Sequence, residues 1–200
     1  MLHYFLKIKL LTLDGDGDAE IWARVAVPFA GADRGALFIP DVDDEVIITF
    51  LAGDSRFPIV IGGLWNGSQN PPEQFSGDRV DRWTITGKAG TRIAIVETSA
   101  SSAKIEFSTP NGIKGTLTDE SGGKIKFEDT GGNSITIDSQ GIALQAASKV
   151  KVTAGQVEIS AGMVKVDAGM SKFSGVVKCD VLQATTVIAT TYTPGAGNIW

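Results

Sequence analysis

Along residues 152–169, VTAGQVEISAGMVKVDAG, apolar side chains come as alternating pairs, Val157 with Ile159 and Val164 with Val166, while Gln156, Glu158, Met163 and Lys165 take the other parity. A period of two predicts a strand with one apolar face. A coiled coil would instead step its apolar residues by three and four along a helix. Gly155, Gly162 and Gly169 fall between the pairs, where a bend is predicted, and glycine accepts the positive φ that tight turns often require. Read backwards, the same kind of pair recurs at Val150/Val152, Ile142/Leu144, Ile135/Ile137 and Ile125/Phe127. A strand-turn unit repeated at short period predicts a solenoid-like β structure whose single repeat cannot bury its own apolar face. Two inward residues per short strand make a thin core. Several copies of the chain are therefore expected to intertwine around a shared axis, as a homotrimer, with these twelve residues as the needle core.

The N-terminal part carries a different pattern. Apolar-rich runs at FLKIKLLTL, EIWARVAVPF, ALFIP, EVIITFL and PIVIGGLW are separated by the turn-rich stretches DGDGD, AGADRG, DVDD and AGDSRF. Five short strands in some 65 residues predict a small antiparallel barrel of the OB type. NGSQNPP, at 66–72, reads as a linker. Strands such as RWTITG, RIAIVE and KIEFS follow from Arg82, and helical periodicity is nearly absent, so the fold class is all-β. The boundary of this first region falls near residue 75.

Composition adds constraints. The chain has 200 residues, 42% of them hydrophobic and 20% charged, with a formal net charge of −5, as expected of a folded, soluble protein. Residues 1–80 hold 6 basic and 12 acidic side chains, the remainder 12 and 11. That balance argues against a nucleic-acid footprint. Cys179 is the only cysteine, which excludes an intrachain disulfide framework and predicts a small buried or half-buried side chain. In MLHYFLKIKLLTL, Lys7 and Lys9 interrupt the apolar run and acidic DGDGDAE follows, so a strand is predicted there and not a signal peptide. No run of about 18 apolar residues is present to span a membrane as a helix.

Three stretches carry a family likeness: WARVAVP at 22–28, GALFIPDVDDEV at 35–46 and GDSRFPIVIGGLWNG at 53–67. They resemble the OB domain of contractile-tail spikes, a group that includes phage baseplate assembly protein V, the VgrG proteins of type VI secretion and the spikes of extracellular injection systems. The resemblance implies a trimeric triple-stranded β-helix after the OB domain, tapering to a point, and the repeat fits it; the expected organisation is then an OB collar over 1–75, connecting strands over 76–103, the β-helix over 104–190 and a tip over 191–200. YTPGAGNIW at the end resembles the C-terminal ending of some of these spikes and implies a tip made of Tyr192, Pro194, Gly195, Gly197, Asn198, Ile199 and Trp200. Two departures matter. Family OB domains usually carry a further strand, and often a hub region, before the segment matching FLKIKLLTL, so an incomplete OB domain or a short spike is expected. The His-x-His iron motif of some small phage spikes has no counterpart, since the single histidine is His3. No lysozyme-like insertion is present to imply enzymatic activity.

Other motifs weaken on inspection. Asp14, Asp16 and Asp18 have the spacing that opens a calcium loop, but Ala19 and Val25 stand where the loop needs glycine and a bidentate glutamate. A solvated turn is expected. Asp41, Asp43, Asp44 and Glu45 read as a turn between strands, because acid/base catalysis needs a carboxylate pair in a cleft with separated pKa values. Trp22, Phe38 and Trp65 could stack on single-stranded nucleic acid, but the basic groove such sites use is missing; barrel core or trimer interface is expected. Lys124, Lys126, Lys149, Lys151 and Lys165 share the parity opposite the apolar pairs and should face outward, as solvated charge or as a stripe for anionic surfaces. Residues 181–200 contain no Asp, Glu, Lys or Arg, which suits an end that enters a bilayer, where each central charge costs roughly 2.5–3.5 kcal/mol. A packed trimer end or a seat for a separate tip protein suits it equally.

The expected function is thus a structural, non-enzymatic central spike of a contractile tail or injection machine, without cofactor or metal. Its expected partners are two further copies of itself, a baseplate hub or tube-initiating protein above the collar, a PAAR-type protein at the tip and the target membrane on injection, with no nucleic acid. It would be soluble in the producing cell's cytoplasm during assembly and then sit in the baseplate of a virion or extracellular particle. The rival is a trimeric receptor-binding or polysaccharide-binding tail fibre, which has no need of the OB signature.

Overall fold

The computed structural model describes residues 5–11, 19–74 and 79–191. The chain divides into two units, residues 1–150 and 151–200. Among the described residues the regular secondary structure is strand, apart from two three-residue 3-10 turns.

The first sheet holds four strands, β1 (Phe5–Lys9), β2 (Glu20–Val25), β5 (Val46–Phe50) and β6 (Pro58–Gly63), in the order β1-β2-β6-β5; the two-residue strands β3 (Ala30–Gly31) and β4 (Arg34–Gly35) pair with each other. β2 and β6 run parallel and the other two pairings are antiparallel. Alternation puts Ala23 and Val60 at the centre, 0% and 1% exposed. Four of the five expected strands form. ALFIP does not: after Ala36 N–H donates to the Phe29 carbonyl at 3.0 Å the segment leaves the ladder, and Leu37 and Phe38 stay exposed. Pro40, which has no N–H to donate, closes that segment. Among the described residues β1 and β5 stand at the two ends of this order and do not pair with each other, so the sheet does not close on itself.

The second sheet is a seven-stranded antiparallel meander in which each strand pairs with the next: β7 (Arg82–Thr86), β8 (Arg92–Glu97), β9 (Ala103–Ser108), β10 (Lys114–Thr118), β11 (Lys124–Glu128), β12 (Ser134–Asp138) and β13 (Gly141–Gln145). Three of its connections, residues 87–91, 109–113 and 129–133, are copies of one five-residue turn. In each, the first N–H donates to the fifth carbonyl, at 2.8, 3.0 and 3.2 Å. The fourth residue is glycine at positive φ: Gly90 at 91°, Gly112 at 85° and Gly132 at 85°, a region that side chains disfavour. The turns also stack. A Cβ on Gly90 would stand 3.8 Å from Pro110, one on Gly112 2.5 Å from Thr130 and one on Gly132 3.7 Å from Ala147.

The repeat that looks continuous in the sequence therefore splits. Ile125/Phe127, Ile135/Ile137 and Ile142/Leu144 lie on meander strands bonded to neighbours of the same chain. Val150/Val152, Val157/Ile159 and Val164/Val166 lie in a stretch that forms no strand within the chain and turns by bends at 155, 162, 169, 175, 180, 185 and 190. The strand expected at Val152, with that side chain in a core, is therefore not found within one chain: no neighbouring strand pairs with this segment, and Val152 is 71% exposed. Glycine at 155, 162 and 169 was expected to serve positive φ. Only Gly175, at 127°, does so in this stretch; the other three bend at ordinary φ, and a Cβ added at any of them would meet nothing of its own chain within 4 Å. Nothing within one chain calls for glycine there.

Candidate functional site

The feature of the meander most exposed to a partner is one face of the sheet. Strand register lines its apolar residues into two rows. In the first, Trp83 faces Ile95, which faces Ile105, and the row continues through Leu117, Ile125 and Ile137 to Ile142. In the second, Ile85, Ile93 and Phe107 lead to Gly115, and Phe127, Ile135 and Leu144 complete it. Gly115 is the one position without a side chain, and the rings on either side use its space. Phe107 and Phe127 approach to 5.8 Å between centroids at 45°, and a Cβ on Gly115 would fall 2.0 Å from Phe107 Cζ. Apart from Ile125, which is half-buried, the side chains of both rows are exposed in the single chain.

The opposite face is polar and self-satisfied. Glu73, from the segment before the meander, takes Arg92 Nε at 2.7 Å and Thr84 Oγ1 at 2.9 Å on one oxygen and Arg82 Nη1 at 3.1 Å on the other. The Arg92 guanidinium, helped by Thr84 and Arg82 and opposed by partial burial, holds the Glu73 carboxyl down at about 2. Arg92 also reaches Glu106 at 3.0 Å, which takes Lys104 at 2.9 Å. Lys126, expected to face outward, does so and pairs with Glu128 at 2.6 Å. Lys124 shares that face, by its register with Thr118. Arg82, Arg92, Lys104 and Lys126 thus pair with carboxylates of their own chain, whereas the apolar rows stay exposed.

The accessible surface puts a magnitude on this. The chain exposes 17420 Å², against about 9,000 Å² for a folded monomer of 21 kDa. Among the described residues, Ala23, Val60, Ala94 and Val96 are the buried hydrophobic ones. A standard protein interface takes only about 800 Å² from each partner, so the excess is far beyond what one ordinary contact would cover.

Residues 151–191 repeat the logic in a different form. The second and fourth residues after each bend give the pairs Val157/Ile159, Val164/Val166, Ser171/Phe173, Val177/Cys179, Leu182/Ala184 and Val187/Ala189. The large apolar residues at these positions are 57–73% exposed, whereas those at the first and third positions, Met163, Met170, Val176, Val181 and Ile188, are 83–97% exposed. Two faces are thus distinguished even in one chain. Val150 and Val152 take the second and fourth places after the bend at 148, so Val152 has the parity expected of a core residue but none of the burial. The reason is physical: a segment with no strand beside it has nothing to lay over its side chains. The pattern runs well past Val166, and its period shrinks from seven residues to six and then five. The fourth position shrinks too, from Ile159 and Val166 to Cys179, Ala184 and Ala189; Phe173 interrupts the trend opposite the small Ser171. Cys179, expected to be at least half-buried, is exposed in the single chain but has the inward parity.

The remaining candidates separate cleanly. Asp41 and Asp44 form the expected turn, Asp41 N–H donating to Asp44 Oδ2 at 2.8 Å, and Lys88 pairs with Asp41 and lowers its pKa. Trp22, Phe38 and Trp65 are 61%, 56% and 68% exposed, so none fills the core of a single chain. Asp14, Asp16 and Asp18, His3, and the tip residues Tyr192, Pro194, Gly195, Gly197, Asn198, Ile199 and Trp200 lie outside the described residues. Among the described residues no three His, Cys, Asp or Glu side chains converge as a metal site, and no helix is long and apolar enough to cross a membrane.

Comparison with known proteins places these surfaces in context. Residues 6–65 match the injector OB domain of the type VI secretion system and phage baseplate. Residues 104–170 match the phage baseplate V C-terminal trimerisation domain. The type VI secretion system spike protein VgrG1c of Pseudomonas aeruginosa is 33% identical over 76 residues, 37% of this chain and 10% of the relative. Spike protein VgrG2a of the same organism is 42% identical over 57 residues, 28% of this chain and 7% of the relative. The actin cross-linking toxin VgrG1 of Vibrio cholerae is 36% identical over 59 residues, 30% of this chain and 5% of the relative. The aligned stretches thus span a tenth or less of each of these relatives.

Proposed function

From a chain that belongs to the phage-baseplate V and VgrG-like family of injector spikes, we infer a homotrimeric, non-enzymatic central spike that punctures a target envelope. The observation that carries the reading is the exposed apolar face of the meander, two rows interrupted only at Gly115, which three copies turned inward would bury. Trimerisation-domain similarity over 104–170 supports the same stoichiometry.

The mechanism is mechanical. In a closed trimer, interchain hydrogen bonds take up the backbone groups of 151–191 and leave few free strand edges. A dry interior of Val, Ile and Leu resists local opening, so axial force from a contracting sheath passes to the target. Residues 1–75 serve as collar, 76–103 as the connection, 104–190 as needle and 191–200 as tip. The described needle-core residues, Val152 among them, give shape and stiffness once partner chains cover them. The uncharged end meets the membrane, and a hub protein and a PAAR-type tip protein complete the machine. The OB match over residues 6–65 favours this over a receptor-binding fibre.

Light scattering on the full chain, before and after incubation in SDS without boiling, tests the reading. A mass three times the 21.0-kDa chain that survives the detergent is expected. A monomer that unfolds readily would overturn it.

A further inference from the structure

The two self-association surfaces differ in what they lack. Each meander strand already has its backbone partner in the same chain, and only a side-chain face is unpartnered. Residues 151–191 take part in no backbone ladder of their own chain, and buried backbone groups must find partners. They can reach a folded state only on other chains.

They also carry little register information. The repeats beginning at Gly155 and Gly162 are nearly interchangeable: sliding one chain by seven residues sets Val164/Val166 where Val157/Ile159 belonged and keeps the parity of these two repeats, and only the shorter spacing beyond Gly169 opposes the slip. Strand register is weakly specified when a slip leaves the buried face intact. The meander is specific by comparison. Its second row is broken once, at Gly115, and the Phe107 and Phe127 rings crowd that gap, so two such faces displaced by one strand would set ring against ring.

We propose that the meander's apolar face is where three copies of this chain first associate, and that it fixes their register. Residues 146–191 then acquire their hydrogen bonds on partner chains, in order from the meander toward the C-terminus. The occupant of the face is a second and a third copy, as the trimerisation-domain match over 104–170 and the surface excess of the chain support. The proposal rests on the trimeric-spike reading and adds to it an order of assembly and a division of labour.

Pulse-labelled hydrogen exchange during refolding of the full chain, at several chain concentrations, tests the order. Amides of β8 to β11 are expected to become protected in the concentration-dependent phase, and those of 155–190 only afterwards. Distal amides protected first, or together with the meander, would overturn the proposal. Two full-length variants test the division of labour. Ile105→Asp is expected to yield monomers whose distal amides exchange at least roughly tenfold faster, whereas Val164→Asp is expected to keep the trimer mass and lose protection only around its own repeat. An Ile105→Asp chain with distal protection intact, or a monomeric Val164→Asp chain, would overturn it. If Ile105→Asp aggregates, the refolding order of the unsubstituted chain decides. An unsubstituted chain that is monomeric would defeat the trimeric reading itself, a separate failure visible before any variant is made.

Discussion

Residues 82–145 and 151–191 are written in the same side-chain alphabet, alternating apolar pairs on short extended segments, yet one makes a sheet within its own chain and the other makes none. What differs is the punctuation. The meander's pairs are about ten residues apart, and reversing turns lie between them, three of them the five-residue turn with glycine at positive φ. The distal pairs are seven, six or five residues apart, and a bend changes the chain's heading without reversing it. Alternation decides which side chains share a face. The connection decides whether the next strand returns to pair with the last or moves on to another chain.

The comparison breaks most severely at Gly115. Gly115→Ala drives a methyl into the Phe107 ring in every copy, and overpacking of this kind costs about 1–3 kcal/mol per site; we expect a clear fall in the trimer's thermal midpoint, partly restored by adding Phe107→Leu. Gly112→Ala combines positive φ with a 2.5 Å approach to Thr130. It should cost about 1–2 kcal/mol, with exchange accelerated in β10 and β11. Gly155→Ala sharpens the contrast, because nothing in its own chain opposes a methyl there. A loss of about 1 kcal/mol in the trimer's denaturant midpoint would show that neighbouring chains approach the bend; an unchanged midpoint would show that they do not.

Glu73 gives a pH test of the polar face. Its folded-state pKa lies below the ordinary carboxylate value, so its contribution is present above about 4.5 and lost as the pH falls toward about 2. Glu73→Gln should remove roughly 1 kcal/mol at neutral pH and flatten that part of the acid-denaturation curve; an unaltered acid limb would sink the assignment. The smallest effect is expected at Lys165→Ala. This exposed side chain has Asp167 3.9 Å away, and its loss should change stability by less than about 0.5 kcal/mol.

Much of this is legible in sequence because alternation and turn glycines are local signals. The strands at 20–25, 46–50, 58–63, 82–86 and 92–97 stand where the pattern puts them. β10 escapes the pattern, since KGTLT has one large apolar residue and a glycine where its neighbours have rings. The change from reversal to bend is hidden because the pairs look alike on both sides of it: Leu144 ends a strand of the sheet and Val152, eight residues on, belongs to none. The continuation beyond Val166 is hidden because Ser171 exchanges roles with Phe173 and because Cys179, Ala184 and Ala189 are too small to register as apolar partners. The glycines at 155, 162 and 169 stand out for a reason the backbone does not bear out, since none of the three takes positive φ.

The stacking of Gly90 on Pro110, Gly112 on Thr130 and Gly132 on Ala147 makes the sheet modular. Along this edge each turn glycine approaches a small side chain of the segment that follows the next hairpin strand pair, so copying or deleting a whole hairpin keeps the strand order and both apolar rows. Adjacent strands stand about 4.8 Å apart, and one added hairpin therefore lengthens the sheet by roughly 10 Å. Reach can be inherited in fixed increments, by duplication of some twenty codons, without redesign of any interface.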